Sequence, residues 1–158
     1  ADLNFQMLSV GKQKNSSISV NENLSWLTCN GENLPFNDNK FDIVSISFGL
    51  RNITNKSIAL NEIYRVLKPG GRFMCLEFSK VNVSVLNRFY QIWSSNVIPA
   101  LGAKISGQKE NYEYLIESIK RFPDQNELSS LISSSNFISV KHRNLSGGIA
   151  AIHSGWKI

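Results

Sequence analysis

The sequence predicts an α/β domain: a doubly wound, largely parallel sheet with helices on both faces, ending in an antiparallel hairpin. Three observations predict it. The stretch RVLKPGGRFMCLEFS, Arg65–Ser79, changes from helical to strand period at Pro69-Gly70-Gly71. FDIVSISF, residues 41–48, is β-branched and almost continuously apolar, as in a strand covered on both faces. Two runs near the end, FISVKHRNL (137–145) and GIAAIHSGWKI (148–158), meet through Ser146-Gly147-Gly148. That link is long enough for antiparallel strands and too short for a parallel crossover.

The elements follow in order. Residues 4–15 read as a short helix with Phe5, Leu8, Met7 and Gly11 facing inward. NLSWLTC, 23–29, alternates as a strand, and NGENLPFNDNK, 30–40, carries turn chemistry. Residues 55–68 put Ile58, Leu60, Ile63, Val66 and Leu67 at helical spacing, and a strand over 72–79 comes next. A long apolar segment, 84–105, has Leu86, Phe89, Trp93, Val97 and Leu101 on one stripe and a kink at Pro99. Two further helices span 109–122 and 123–136, the second with Pro123 near its start. No repeat or linker interrupts the pattern, so residues 1–158 read as one domain.

Composition narrows the function. A chain of 158 residues, 42% of them hydrophobic, is enough for one core. No apolar run approaches the roughly 20 residues of a membrane span. The start, ADLNFQML, has neither the basic region nor the cleavage pattern of a signal peptide. Cys29 and Cys75 stand alone, which argues for free buried thiols and against structural zinc. The net charge is +5, but Lys and Arg are scattered and not interleaved with aromatics, so no nucleic-acid role is expected.

Four stretches carry more than fold: RVLKPGGRFMCLEFS, ISFGLRNITNK (46–56), YEYLIESIKRFPDQ (112–125) and GIAAIHSGWK (148–157). Together they resemble the ubiquinone/menaquinone biosynthesis C-methyltransferases, the UbiE family, most closely its alphaproteobacterial and mitochondrial members. The resemblance implies a class I methyltransferase (Rossmann-like) sheet and S-adenosyl-L-methionine as cofactor. It also implies a polyprenyl quinol substrate and C-methylation of a benzoquinol or of demethylmenaquinol. The resemblance begins at the end of the family's second strand, so the first strand and its glycine loop are expected to be missing. The implied location is cytoplasmic or peripheral on the inner membrane in bacteria, and the matrix side of the mitochondrial inner membrane in eukaryotes. A homodimer or a quinone-biosynthesis complex is a further implied partner.

The family's pattern assigns residues. Asp2 matches the acid that accepts the ribose hydroxyls; the alternatives are a helix N-cap or a frayed terminal residue. Asn30 and Gly31 match the adenine-contacting pair, where the family usually has Ala second; the alternative is a plain Asn-Gly turn. Ser47 lines the cofactor at the end of its strand. Arg51 stabilises a phenolate and Asn52 orients a hydroxyl, against the alternatives of a surface Arg and a helix cap. Tyr112, Tyr114, His142, His153 and Glu77 are weaker candidates, Glu77 either meeting substrate or pairing with an Arg. The competing reading is a non-catalytic fragment or assembly module of the same pathway. With the first strand missing, the 41–48 strand should show an open parallel edge and the 23–29 strand should lack a neighbour.

Overall fold

α2, Lys56–Val66, passes directly into β2, Leu67–Phe78, and the KPGG turn lies within the first residues of that strand. The computed structural model describes residues 1–16, 24–81 and 109–158, and of residues 15, 16 and 109–112 only the backbone. The apolar segment predicted at 84–105 lies outside the described residues, as do residue 23 and the Tyr112 side chain.

Four strands form one sheet. They are β1 (Phe41–Ser47), β2, β3 (Ile138–Leu145) and β4 (Ala150–Trp156), in the order β1-β2-β4-β3. The pair β1–β2 is parallel, with Val44 opposite Phe73 and Ile46 opposite Cys75. The closing hairpin is antiparallel as expected. Its second strand lies inside the sheet, with Cys75 opposite His153, and β3 takes the outer edge.

Phe73, Cys75 and Glu77 are alternate residues of β2 and face the same way, which the period of two dictates. Over that face lie Leu60 and Ile63 of α2, and Leu128 and Ile132 of α4, Gln125–Ser134. Phe122, at the end of α3 (Lys109–Arg121), and Phe137 complete the core. Asp124 caps α4 by accepting the Asn126 and Glu127 N–H groups, both at 2.9 Å. Glu127 accepts the Asp124 N–H in return at 2.8 Å. A capping box of this kind contributes about 1 kcal/mol. Pro123 stands just before the cap.

Five expectations are corrected. First, among the described residues β1 lacks cover on one face, where Ile43 is 62% exposed, while its open edge, on the side away from β2, is the one expected. Second, the helix predicted to reach residue 68 ends at Val66. Leu67 pairs with Phe41, and a residue shortly before Pro69 is steered towards extended backbone. The turn that follows needs its glycines: Gly70 has φ +79°, and a Cβ on Gly71 would sit 2.7 Å from the Lys68 carbonyl oxygen. Third, Phe5 and Met7 of α1, Phe5–Ser16, face solvent; Leu8 is buried. Phe5 shares the Leu8 face but lines an open cleft with Trp26, Met7 points to another side, and Gly11 lies against Trp26. Fourth, Ile58 in the first turn of α2 is exposed. Fifth, residues 24–29 form no ladder. They make one parallel bridge, Asp2 to Thr28, so the chain is held there by two backbone bonds only among the described residues.

Lys157 ties the end of β4 back to α2. Its Nζ donates to Asn39 Oδ1 and to the Tyr64 carbonyl, both at 2.8 Å, beside the negative end of the helix. Among the described residues no helix is long and apolar enough to cross a membrane.

Candidate functional site

The loops that follow β1 and the 24–29 segment lie against each other. Asp2 is held by its backbone: its N–H donates to Leu27 O at 3.1 Å, and Cys29 N–H donates to Asp2 O at 3.0 Å. Its exposed carboxylate accepts the Asn4 N–H at 2.8 Å. The cap of α1 is Asn4, which accepts from Gln6 and Met7, so Asp2 is not the helix cap.

Asn30 Oδ1 accepts the Glu32 N–H at 2.9 Å, closing a tight turn. Glu32 Oε1 in turn accepts the Asn55 N–H at 2.8 Å. A Cβ on Gly31 would come within 2.9 Å of Ile53 Cδ1, so this turn sits directly on the segment after β1. Behind it, Arg65 clamps the 34–38 loop through Leu34 O, Phe36 O and Asp38. Its partners Glu62 and Asp38 push the Arg65 pKa up further, and Glu62 is held low by the same contact.

Ser47 ends β1 on the face away from the core, exposed. Phe48 then takes φ +54°, a left-handed backbone that an aromatic residue rarely adopts. Its N–H donates to Leu76 O at 2.9 Å and its ring rests on Phe78, centroids 4.7 Å apart. A 3-10 turn, Leu50–Asn52, follows. Leu50 plugs the core. Arg51 swings back over the Phe78 ring and donates from Nη1 to Phe48 O and, at 2.9 Å, to Glu77 Oε1. Glu77 also accepts the Arg51 and Phe78 backbone N–H groups, at 3.2 and 2.9 Å. The pair is buried, and the Arg51 Nε finds no partner among the described residues. Of the two readings for Glu77, pairing with an Arg is the one observed.

Asn52 is exposed, and its Oδ1 accepts from the Tyr114 hydroxyl at 3.2 Å. Beside it, Lys56 donates from Nζ to Ile53 O at 3.0 Å and lies over the Phe122 ring at 5.8 Å. Burial lowers the Lys56 pKa, while Glu32 and Glu77 act against that fall. Asn52, Lys56, Tyr114, Ser118 and Phe122 line a cavity of about 220 Å³ between the 3-10 turn and α3.

Contacts therefore link Asp2, Asn30 and Gly31 on one side of Ile53 to Arg51 and Asn52 on the other. His142 and His153 lie apart, on β3 and β4. His142 Nδ1 meets Ser129 Oγ at 3.1 Å, and His153 Nε2 donates to Gln125 O at 3.0 Å. Both are hydrogen-bonded strand histidines, the more frequent case. Cys29 and Cys75 are free, and burial pushes the Cys75 thiol up to about 12. No group of three His, Cys, Asp or Glu among the described residues suits a metal ion. Lys56 was not singled out by sequence; nothing in NKSIAL distinguishes it from a solvated first-turn lysine.

The strand order and the loops gathered at the carboxyl ends of β1 and β2 define a class: the fold of class I S-adenosylmethionine-dependent methyltransferases. A methyltransferase structure from Thermotoga maritima is similar at TM-score 0.56 and 23% identity, covering 81% of this chain and 61% of that one. More particularly, the chain belongs to the ubiE/COQ5 methyltransferase family, whose family model matches residues 1–157. It is 52% identical over 157 residues to the mitochondrial 2-methoxy-6-polyprenyl-1,4-benzoquinol methylase of Gallus gallus, covering 99% of this chain and 50% of that protein. It is 48% identical to the ubiquinone/menaquinone biosynthesis C-methyltransferase UbiE of Brucella canis, covering 99% of this chain and 58% of that protein. The chain thus spans about half the length of the curated relatives it matches.

Proposed function

We propose that this chain serves S-adenosylmethionine-dependent C-methylation of a polyprenyl benzoquinol, or of demethylmenaquinol. The supporting observation is the run of contacts from Asp2 through the Asn30–Gly31 turn to Ile53 and Asn52. In this reading the run joins the residues matched to ribose and adenine contacts to Ile53, which lines the cavity.

The residues present fit the adenosyl part of the cofactor. Asp2 spends one acceptor position on Asn4, and a carboxylate has about four, so acceptors remain for two adjacent hydroxyls. Asn30 Oδ1 has a second lone pair for an amino group at a purine edge. When bound, S-adenosylmethionine supplies an electrophilic sulfonium methyl group. The chain's task is then to orient the quinol ring, to exclude water and to favour ionisation of a ring hydroxyl, which makes the adjacent ring carbon nucleophilic. Arg51 and Asn52, to which the family's pattern gives phenolate stabilisation and hydroxyl orientation, both line the cavity.

Calorimetric titration of S-adenosylmethionine tests the first part. Saturable binding is expected, weakened about tenfold by Asp2→Asn, the size of one charge-assisted hydrogen bond. Mass spectrometry after incubation with a short-tailed methoxybenzoquinol tests the second, a single added methyl being the expected product. The reading fails if neither binding nor methylated ring is found.

A further inference from the structure

The geometry points to Lys56, rather than Arg51, as the cation facing an ionised ring oxygen: the cleft between the 3-10 turn and α3 takes one oxygenated aromatic ring with that oxygen against Lys56 Nζ. The assignment rests on the proposed methylation of a quinol ring and adds to it a residue that the family resemblance does not supply.

Charge decides between the two cations. Arg51 is already matched by buried Glu77 at 2.9 Å, and its remaining bonds hold Phe48. A second anion there would compete with a carboxylate that is itself desolvated. Lys56 is within ion-pair distance of no carboxylate among the described residues. One of its three donors is used by Ile53 O, which leaves two. Phe122 covers one side of the ammonium and shields it from water.

The surroundings agree in chemistry and size. The cavity holds about 220 Å³, and an apolar cavity of about 150 Å³ already takes a benzene ring. The Tyr114 hydroxyl occupies Asn52 Oδ1, which turns the Asn52 NH₂ into a second donor for a ring oxygen. The other charged groups around the cleft are Glu32 and Glu77, which act on Lys56 at longer range, and Glu117 at the rim, which is paired to Arg121 at 2.5 Å. Burial lowers the Lys56 pKa and the two inner carboxylates oppose that fall.

The test uses this chain and 4-nitrophenol, a single ring whose hydroxyl ionises near neutral pH. Binding is followed by the chemical shifts of Phe122 and Lys56 above and below the probe's own pKa. The ionised probe is expected to bind wild type and Lys56→Arg about tenfold or more tighter than the neutral probe. That preference is expected to vanish in Lys56→Met and in Lys56→Gln, each checked for an unchanged thermal midpoint so that either suffices. The proposal is overturned if a folded neutral variant keeps the preference, or if wild type shows no saturable shift at Phe122. A Lys56-dependent ring site in a chain that yields no methylated quinol supports the ring site while refuting the methylation reading, so the two fail separately.

Discussion

Replacing Glu77 by Gln isolates the buried ion pair beneath the candidate site. The Glu77 side chain is 1% exposed and Arg51's is 11%, so solvent cannot compensate the guanidinium once its partner is neutral. Glu77 accepts three bonds, from Arg51 Nη1, Arg51 N–H and Phe78 N–H. Gln retains one carbonyl oxygen for them and loses the charge. Removing one member of a buried pair costs about 3–5 kcal/mol, and the retained acceptor puts Gln near the lower end. For a chain of this size each kcal/mol moves the thermal midpoint by about 2–4 °C, so Glu77→Gln should melt about 10 °C lower. Urea unfolding followed by circular dichroism gives the free energy directly. The double variant Arg51→Met, Glu77→Leu removes both charges and should recover most of the loss, which a double-mutant cycle reads as strong coupling. A single-variant loss under about 1 kcal/mol, or a double variant no more stable than Glu77→Gln, would refute the reasoning.

Two further outcomes follow from buried groups away from the cavity. His153 is buried with Nε2 on Gln125 O and Nδ1 without a partner among the described residues, and burial lowers its pKa below the ordinary 6.5. The folded state therefore keeps the ring neutral while the unfolded chain takes up a proton. Stability should fall as pH drops below 6.5, by at most about 1.4 kcal/mol per pH unit from this group, and level off below the folded pKa. His153→Gln should flatten that part of a pH series of urea midpoints; an unchanged slope contradicts the assignment. Cys75 is buried with its thiol pushed up to about 12. Iodoacetamide at mildly alkaline pH should therefore label Cys29, which is half-buried, long before Cys75, as peptide mass mapping would show. Equal labelling rates would mean that β2 opens far more easily than its place in the sheet implies.

Local turn chemistry is legible in the chain, whereas helix faces are only partly so: Phe5, Met7 and Ile58 fit an apolar stripe yet are exposed. Pro69-Gly70-Gly71 marked a junction because the proline ring and a positive φ at Gly70 are local constraints. Ser146-Gly147-Gly148 marked a hairpin for the same reason. Legibility ended where two distant segments compete for a residue. Leu67 continues the helical stripe of α2, yet register with Phe41 draws it into β2. FDIVSISF has the composition of a doubly covered strand, but composition says nothing about what lies on each face, and Ile43 is exposed. At the candidate site the motif residues Asp2, Asn30, Gly31, Ser47, Arg51 and Asn52 came from a family pattern. Their partners did not: the Arg51–Glu77 pair spans 26 positions and the Asn52–Tyr114 bond spans 62. Lys56 acquires its surroundings only when Phe122 folds over it.

The insertion of β4 between β2 and β3 has a bearing on biogenesis. During synthesis β3 leaves the ribosome before the segment that joins it to the remainder of the sheet exists. Until then Val140, which packs on the core, has no β4 beside it, and β2 presents an unfilled edge to any passing extended peptide. Closure needs contacts between positions as far apart as Arg72 and Trp156. Such long-range pairing is slow, and it leaves strand edges open to aggregation until β4 docks.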